Sequence, residues 1–127
     1  MPTTFREIQV SLGERSYPIL IGEGLLEQAP ELAALARGRQ VAIVTCDTVA
    51  PLYEPRLRAA LAGVASALVT VVLPDGEAHK DWPALNRIFD ALLANRFDRR
   101  CLIVALGGGV IGDMAGFAAA TYQRGVD

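Results

Sequence analysis

The sequence has 127 residues, 52% of them hydrophobic and 20% charged, with a formal net charge of -2; this is the balance of one globular domain around one core, and it excludes a disordered chain. The twelve Lys and Arg are scattered along the chain, so no basic field points to nucleic acid, and no apolar run approaches the ~20 residues of a membrane span. The N-terminal Met-Pro-Thr-Thr-Phe-Arg-Glu has no basic flank before an apolar core, which makes a cytoplasmic protein the expectation.

Phe5, Ile8, Val10 and Leu12 alternate with polar neighbours, Leu12 to Ser16 reads as a turn, and Tyr17-Pro18-Ile19-Leu20-Ile21 reads as a returning strand. The pattern predicts an antiparallel hairpin whose second strand is an edge, because Pro18 has no N–H for a ladder. From Gly24, Leu25, Leu26, Ala29, Leu32, Ala33 and Leu35 recur at helical spacing until Gly38 ends the pattern. Val41-Ala42-Ile43-Val44 is the continuous apolar run of a strand covered on both faces. It feeds a polar loop over 45–48 and a helix over Leu52 to Leu61.

The cycle repeats with strand Leu68 to Leu73, loop Pro74 to Lys80, and a helix from Trp82 that sets Leu85, Ile88, Phe89, Leu92 and Leu93 on one face. After a charged turn over 96–100 come strand 101–106, a glycine turn and a last helix from Met114 to Ala120. Alternating strands and amphipathic helices predict an α/β, Rossmann-like domain, a parallel sheet with helices on both faces, behind an N-terminal antiparallel β-hairpin. Cys46 and Cys101, each at the edge of an apolar run, are expected as reduced buried thiols. Gly125-Val126 would lead into a further strand, so the chain reads as a fragment.

In an open parallel sheet, ligands gather at the carboxyl ends of the strands, and the loops 45–48, 74–80 and 107–113 share that rim in this reading. The stretch LGGGVIGDMAGFAAATYQRG, residues 106–125, contains Gly107-x-Gly109-x-x-Gly112. Such glycines let the backbone approach a phosphate above a helix N-terminus, or else permit a tight turn with close packing; the spacing alone leaves both open. Asp113 would repel a neighbouring pyrophosphate, so a functional Asp113 faces a hydroxyl or a carboxamide. Asp75-Gly76-Glu77-Ala78-His79-Lys80 sets two carboxylates, an imidazole and an ammonium in six residues. It is either a solvated loop ending at an Asp81 N-cap, or a site where Glu77 accepts from ribose hydroxyls beside a Lys80 cation. His79 is the sole histidine and no Cys pair accompanies it, so no metal site is expected in this chain.

The segments PDGEAHK and LGGGVIGDMAGFAAATYQRG together resemble the N-terminal, cofactor-binding part of the 3-dehydroquinate synthase family, within the sugar phosphate cyclases. The resemblance implies that residues 1–127 are an NAD-binding N-terminal domain, a truncated fragment of a longer enzyme whose C-terminal helical domain is absent. It implies an activity that converts 3-deoxy-D-arabino-heptulosonate 7-phosphate to 3-dehydroquinate and phosphate in the shikimate pathway, with NAD and a divalent metal, zinc or cobalt. Carried over by residue, Asp75, Gly76, Glu77, Ala78, His79 and Lys80 would hold a cofactor ribose. Gly108, Gly109, Val110, Ile111 and Gly112 would cradle the pyrophosphate, and Asp113 would reach the nicotinamide half. Arg124 would contact substrate phosphate from the neighbouring subunit of a homodimer. The resemblance is softer over the loop Thr45 to Thr48, where several relatives place Asp or Asn at the slot of Cys46, so it carries no adenine-side contact over to Cys46, Asp47 or Thr48. The family's metal ligands, catalytic lysine and Thr-Thr stretch would fall after residue 127, leaving no catalytic residue here and an inactive fragment. The alternatives are another sugar phosphate cyclase, such as a 2-deoxy-scyllo-inosose or valiolone-type synthase, and a non-catalytic nucleotide-binding module; Val110 argues against the iron-dependent dehydrogenases, which carry Ser there.

Overall fold

A computed structural model describes residues 5–26 and 30–127. Strand β1 (Phe5–Val10) and strand β2 (Tyr17–Gly22) pair antiparallel, with Ile8 opposite Ile19 and Gln9 opposite Pro18, and a 3-10 turn at Gly13–Arg15 joins them. They form a two-stranded sheet of their own. Pro18 is tolerated because both strands are edges. The alternation does not mark a buried face, since Ile8, Ile19 and Ile21 remain 45%, 41% and 54% exposed.

Helix α1 (Pro30–Ala36) is shorter than the periodicity from Leu25 implies. Leu25 and Leu26 lie in a turn, and the part of the expected helix at 27–29, Ala29 included, is outside the described residues. A proline at the first helical position has a preset φ and no N–H to waste, so Pro30 suits the start of α1. The spacing of Leu26 and Leu32 reflects packing instead of one continuous helix, for both lean on the core under α1. Gly38 ends the segment with φ +71°, and its amide donates to Val64 O at 2.8 Å.

Strand β3 (Gln40–Cys46) is the centre of the second sheet, flanked in parallel by β4 (Ala67–Leu73) and β5 (Leu102–Leu106) in the order β4-β3-β5. Helix α2 (Ala50–Ala62) follows β3, α3 (Trp82–Ala94) follows β4, and α4 (Gly109–Thr121) follows β5. Alternate residues of β3 face opposite layers. Val41 and Ile43 pack with Ala36 of α1 and Leu57 and Leu61 of α2. Ala42, Val44 and Cys46 pack with Leu85, Ile88 and Leu92 of α3 and with Ile111, Met114, Ala115 and Ala118 of α4. The expected parallel sheet with helices on both faces is therefore present, and the central strand is sealed from Val41 to Cys46. Cys46 and Cys101 are free and buried; burial, with Asp98 nearby, pushes the Cys101 thiol above its ordinary pKa.

Helix α4 begins five residues before the expected Met114, because the glycines form its first turn. Glycine costs about 1 kcal/mol against alanine in a helix, a cost the burial of Ile111, Met114, Ala115 and Ala118 offsets. Among the described residues no helix is long and apolar enough to cross a membrane.

At the amino end of the sheet, Arg39 ties three segments together. Its guanidinium donates to Arg100 O at 2.7 Å, Cys101 O at 3.1 Å and Asp127 Oδ2 at 2.9 Å. The far end of α4 is held by Tyr122, whose hydroxyl donates to Phe97 O at 2.6 Å.

Candidate functional site

Because β3, β4 and β5 are parallel and in register, with Cys46 opposite Leu73 and Thr45 opposite Leu106, the three following loops emerge on one rim. Asp47 links the first two. Its amide donates to Leu73 O at 3.0 Å, and its Oδ1 accepts from the Asp75 amide at 3.1 Å. Gly76 then turns the chain with φ +103°, a value an L side chain resists, and Glu77–His79 forms a 3-10 turn closed by Lys80 N donating to Glu77 O at 3.1 Å. Asp81 caps α3 as expected, its Oδ1 accepting from Ala84 N at 3.0 Å.

The loop meets α4 through Lys80. Its ammonium lies 2.8 Å from Asp113 Oδ2 and 3.5 Å from Glu77 Oε1. The Asp113 hydrogen bond, opposed in part by desolvation, raises the Lys80 pKa above its ordinary 10.5. Two segments read separately from the sequence, Asp75–Lys80 and Gly108–Asp113, thus stand against each other on one rim. Ala78, His79 and the Glu77 carboxylate are exposed, the last at 73%.

Gly108 is the N-cap of α4, and the first bonded amide of the helix is Gly112 N, to Gly108 O at 3.0 Å. The amides of Gly109, Val110 and Ile111 have no partner within the helix and present the positive end of its dipole. The side chains of Val110 and Ile111 join the core, so only their backbone faces the rim. Among the described residues, and apart from chain neighbours and the helix's own backbone, a Cβ at Gly108, Gly109 or Gly112 would meet no atom within 4 Å, whereas one at Gly107 would come within 3.1 Å of Ile111 Cγ1. Close packing therefore accounts for Gly107 alone; at the other three glycines no protein atom demands the missing side chain.

An open hollow of about 520 Å³ adjoins Lys80 and Asp113 and is walled by Trp82, Leu85, Met114 and Phe117. Trp82 and Phe117 meet edge to face with centroids 5.9 Å apart. The sequence reading missed this wall because both aromatics sit at helical spacings that look like core, yet they are 66% and 46% exposed.

Two residues do not join the cluster. Cys46 is 2% exposed and packs into the core under α3 and α4. Arg124 is exposed in the 3-10 turn Tyr122–Arg124 with φ +67°. It lies past the C-terminal end of α4, a helix about 20 Å long at 1.5 Å per residue, and so at the opposite end from Asp113.

Residues 70–127 match the family model described as 3-dehydroquinate synthase N-terminal. The chain is 64% identical over 120 residues to a 3-dehydroquinate synthase of Pseudomonas fluorescens (strain SBW25), covering 94% of this chain and 32% of that protein. A crystal structure of a 2-deoxy-scyllo-inosose synthase superposes with a TM-score of 0.83 at 23% identity, over 95% of this chain and 34% of that one. ValA, a 2-epi-5-epi-valiolone synthase from Streptomyces hygroscopicus subsp. jinggangensis 5008 with NAD+ and Zn2+ bound, superposes with a TM-score of 0.73 at 34% identity, over 92% of this chain and 32% of that one. The chain thus spans about a third of the length of the proteins it matches. The matches align this chain over 94% of its length with 3-dehydroquinate synthase and, through residues 70–127, with the N-terminal part of that family.

Proposed function

We propose that residues 1–127 form the NAD-binding domain of an enzyme that converts 3-deoxy-D-arabino-heptulosonate 7-phosphate to 3-dehydroquinate and phosphate. The observation that carries this reading is the glycine turn: open space over Gly108, Gly109 and Gly112, above the first turn of α4 and beside Lys80 and Asp113. A dinucleotide fits that cradle chemically. The amides of Gly109 to Ile111 donate to pyrophosphate oxygens, Glu77 accepts from vicinal ribose hydroxyls, and Lys80 neutralises Asp113 so that a carboxylate near the anion seat does not repel it. Asp113 retains a second oxygen for a carboxamide or hydroxyl on the nicotinamide half.

NAD held by the Gly109 to Ile111 amides, Glu77 and Lys80 would supply a reversible hydride acceptor for the substrate. The part of this chain is to fix the cofactor's position before that chemistry. Among the described residues no group of three or more His, Cys, Asp or Glu could hold a metal, so no step is assigned to a metal held by this chain; zinc or cobalt would be bound by residues outside it. Arg124, exposed beyond α4, suits contact with substrate phosphate in a neighbouring subunit of a cytoplasmic homodimer.

The test is titration of NAD into this chain by calorimetry. Binding is expected to be weak, with Kd above about 1 μM, because part of the site lies elsewhere and ordering the loops has a cost; submicromolar affinity would contradict that division. The 34% identity to ValA makes another sugar phosphate cyclase the second reading. Turnover of the heptulosonate phosphate by the whole protein separates the two.

A further inference from the structure

The loop Asp75–Lys80 carries the groups that the cofactor reading assigns to ribose, yet its own bonds are internal: His79 N to Gly76 O and Lys80 N to Glu77 O, both at 3.1 Å. Among the described residues, the hydrogen bonds that tie it to the body lie at its two ends. At the exit, Lys80 bridges to Asp113 and the adjoining Asp81 caps α3. At the entry, Pro74 has no N–H, so the first amide after β4 able to donate is that of Asp75, and the carboxylate of Asp47 takes it. Asp47 is itself fixed, since its amide donates to Leu73 O at 3.0 Å and it follows directly on the last β3–β4 register pair, Cys46 and Leu73.

We infer that Asp47 is a positioning residue for the cofactor site: through the Asp75 amide it sets where Gly76 turns, and hence where Glu77 and Lys80 stand against α4. This rests on the cofactor reading above. The role is mechanical and needs an acceptor oxygen, with the negative charge strengthening the bond. Asp47 is exposed and absent from both core clusters, so its removal leaves the fold standing. The neighbouring Cys46 is buried in the core, so within this loop entry it is the exposed carboxylate of Asp47 that can reach the rim.

The experiment compares wild type, Asp47→Ala and Asp47→Asn in the whole protein by hydrogen exchange of residues 75–80, NAD titration and thermal melting. Asp47→Ala is expected to speed exchange of Gly76 to Lys80 about threefold to tenfold and to weaken NAD binding by a similar factor, the worth of one exposed hydrogen bond. Asp47→Asn, which keeps Oδ1, should return both to within about twofold of wild type, and both variants should melt cooperatively within about 4 °C of wild type. Unchanged exchange in Asp47→Ala, faster exchange with unchanged affinity, or failure of Asp47→Asn to restore binding each overturns the assignment. If wild type itself takes no NAD, the cofactor reading falls and the positioning role falls with it; the exchange data then report a loop clamp and nothing more.

Discussion

Lys80 Nζ lies 2.8 Å from Oδ2 of Asp113, across 33 residues of sequence, and this contact joins the loop after β4 to the start of the second turn of α4. It brings a cation and a carboxylate to the mouth of the glycine turn as a neutral pair.

Its pH dependence follows in sign. The Lys80 pKa is raised above 10.5, chiefly by the Asp113 hydrogen bond, so the folded state holds the proton more tightly than the unfolded chain. The contribution is complete below pH 10.5 and is lost as pH climbs through the higher folded value. NMR titration of the Lys80 ammonium is expected to give a midpoint above 10.5 in wild type and a shift back toward it in Asp113→Asn. Coincident midpoints would show that the contact does not persist in solution.

Two neighbouring glycines should respond in opposite ways. Gly107→Ala sets a Cβ 3.1 Å from Ile111 Cγ1 at φ +157° and should cost about 1–3 kcal/mol in urea unfolding. The Cβ of Gly109→Val meets no described atom within 4 Å outside its own helix backbone, and valine is no worse than glycine in a helix, so stability should stay within about 0.5 kcal/mol. Its NAD affinity should nevertheless fall at least about tenfold, a loss of ~1.4 kcal/mol. Wild-type affinity in Gly109→Val would remove the anion seat from the argument.

Thr45 is the only buried polar or charged side chain among the described residues, and its Oγ1 has no hydrogen-bond partner. Thr45→Val replaces a desolvated hydroxyl with a methyl of the same shape, and should raise unfolding free energy by about 1 kcal/mol. A loss of stability would mean that the hydroxyl finds a partner in solution.

The two helical layers should fail alike. Leu61 of α2 and Leu92 of α3 are both 0% exposed, on opposite faces of the sheet. Leu61→Ala and Leu92→Ala are each expected to cost about 2–5 kcal/mol by denaturant unfolding. Trp82→Ala, at 66% exposure, should cost under about 1 kcal/mol. A large loss there would show that the aromatic wall belongs to the core.

Much of this protein was written locally. The β-branched runs at 41–44 and 68–73, the helical face Leu85, Ile88 and Leu92, and the cap at Asp81 follow from periodicity and turn chemistry, which act over a few residues, and together they specify a parallel α/β layer. The order β4-β3-β5, the helix start at Gly109 and the exposed hairpin face were set by tertiary packing. Burial of Ile111 and Met114 outweighs the poor propensity of glycine, and nothing in the alternation of β1 and β2 says whether a second layer covers them. The same holds at the candidate site. Its residue types stood in two short motifs, but the Lys80–Asp113 bridge, the Asp47–Asp75 bond and the open space above Gly108 and Gly109 are distances between segments far apart in the chain, and only the folded sheet, by bringing three strand ends to one rim, determines them.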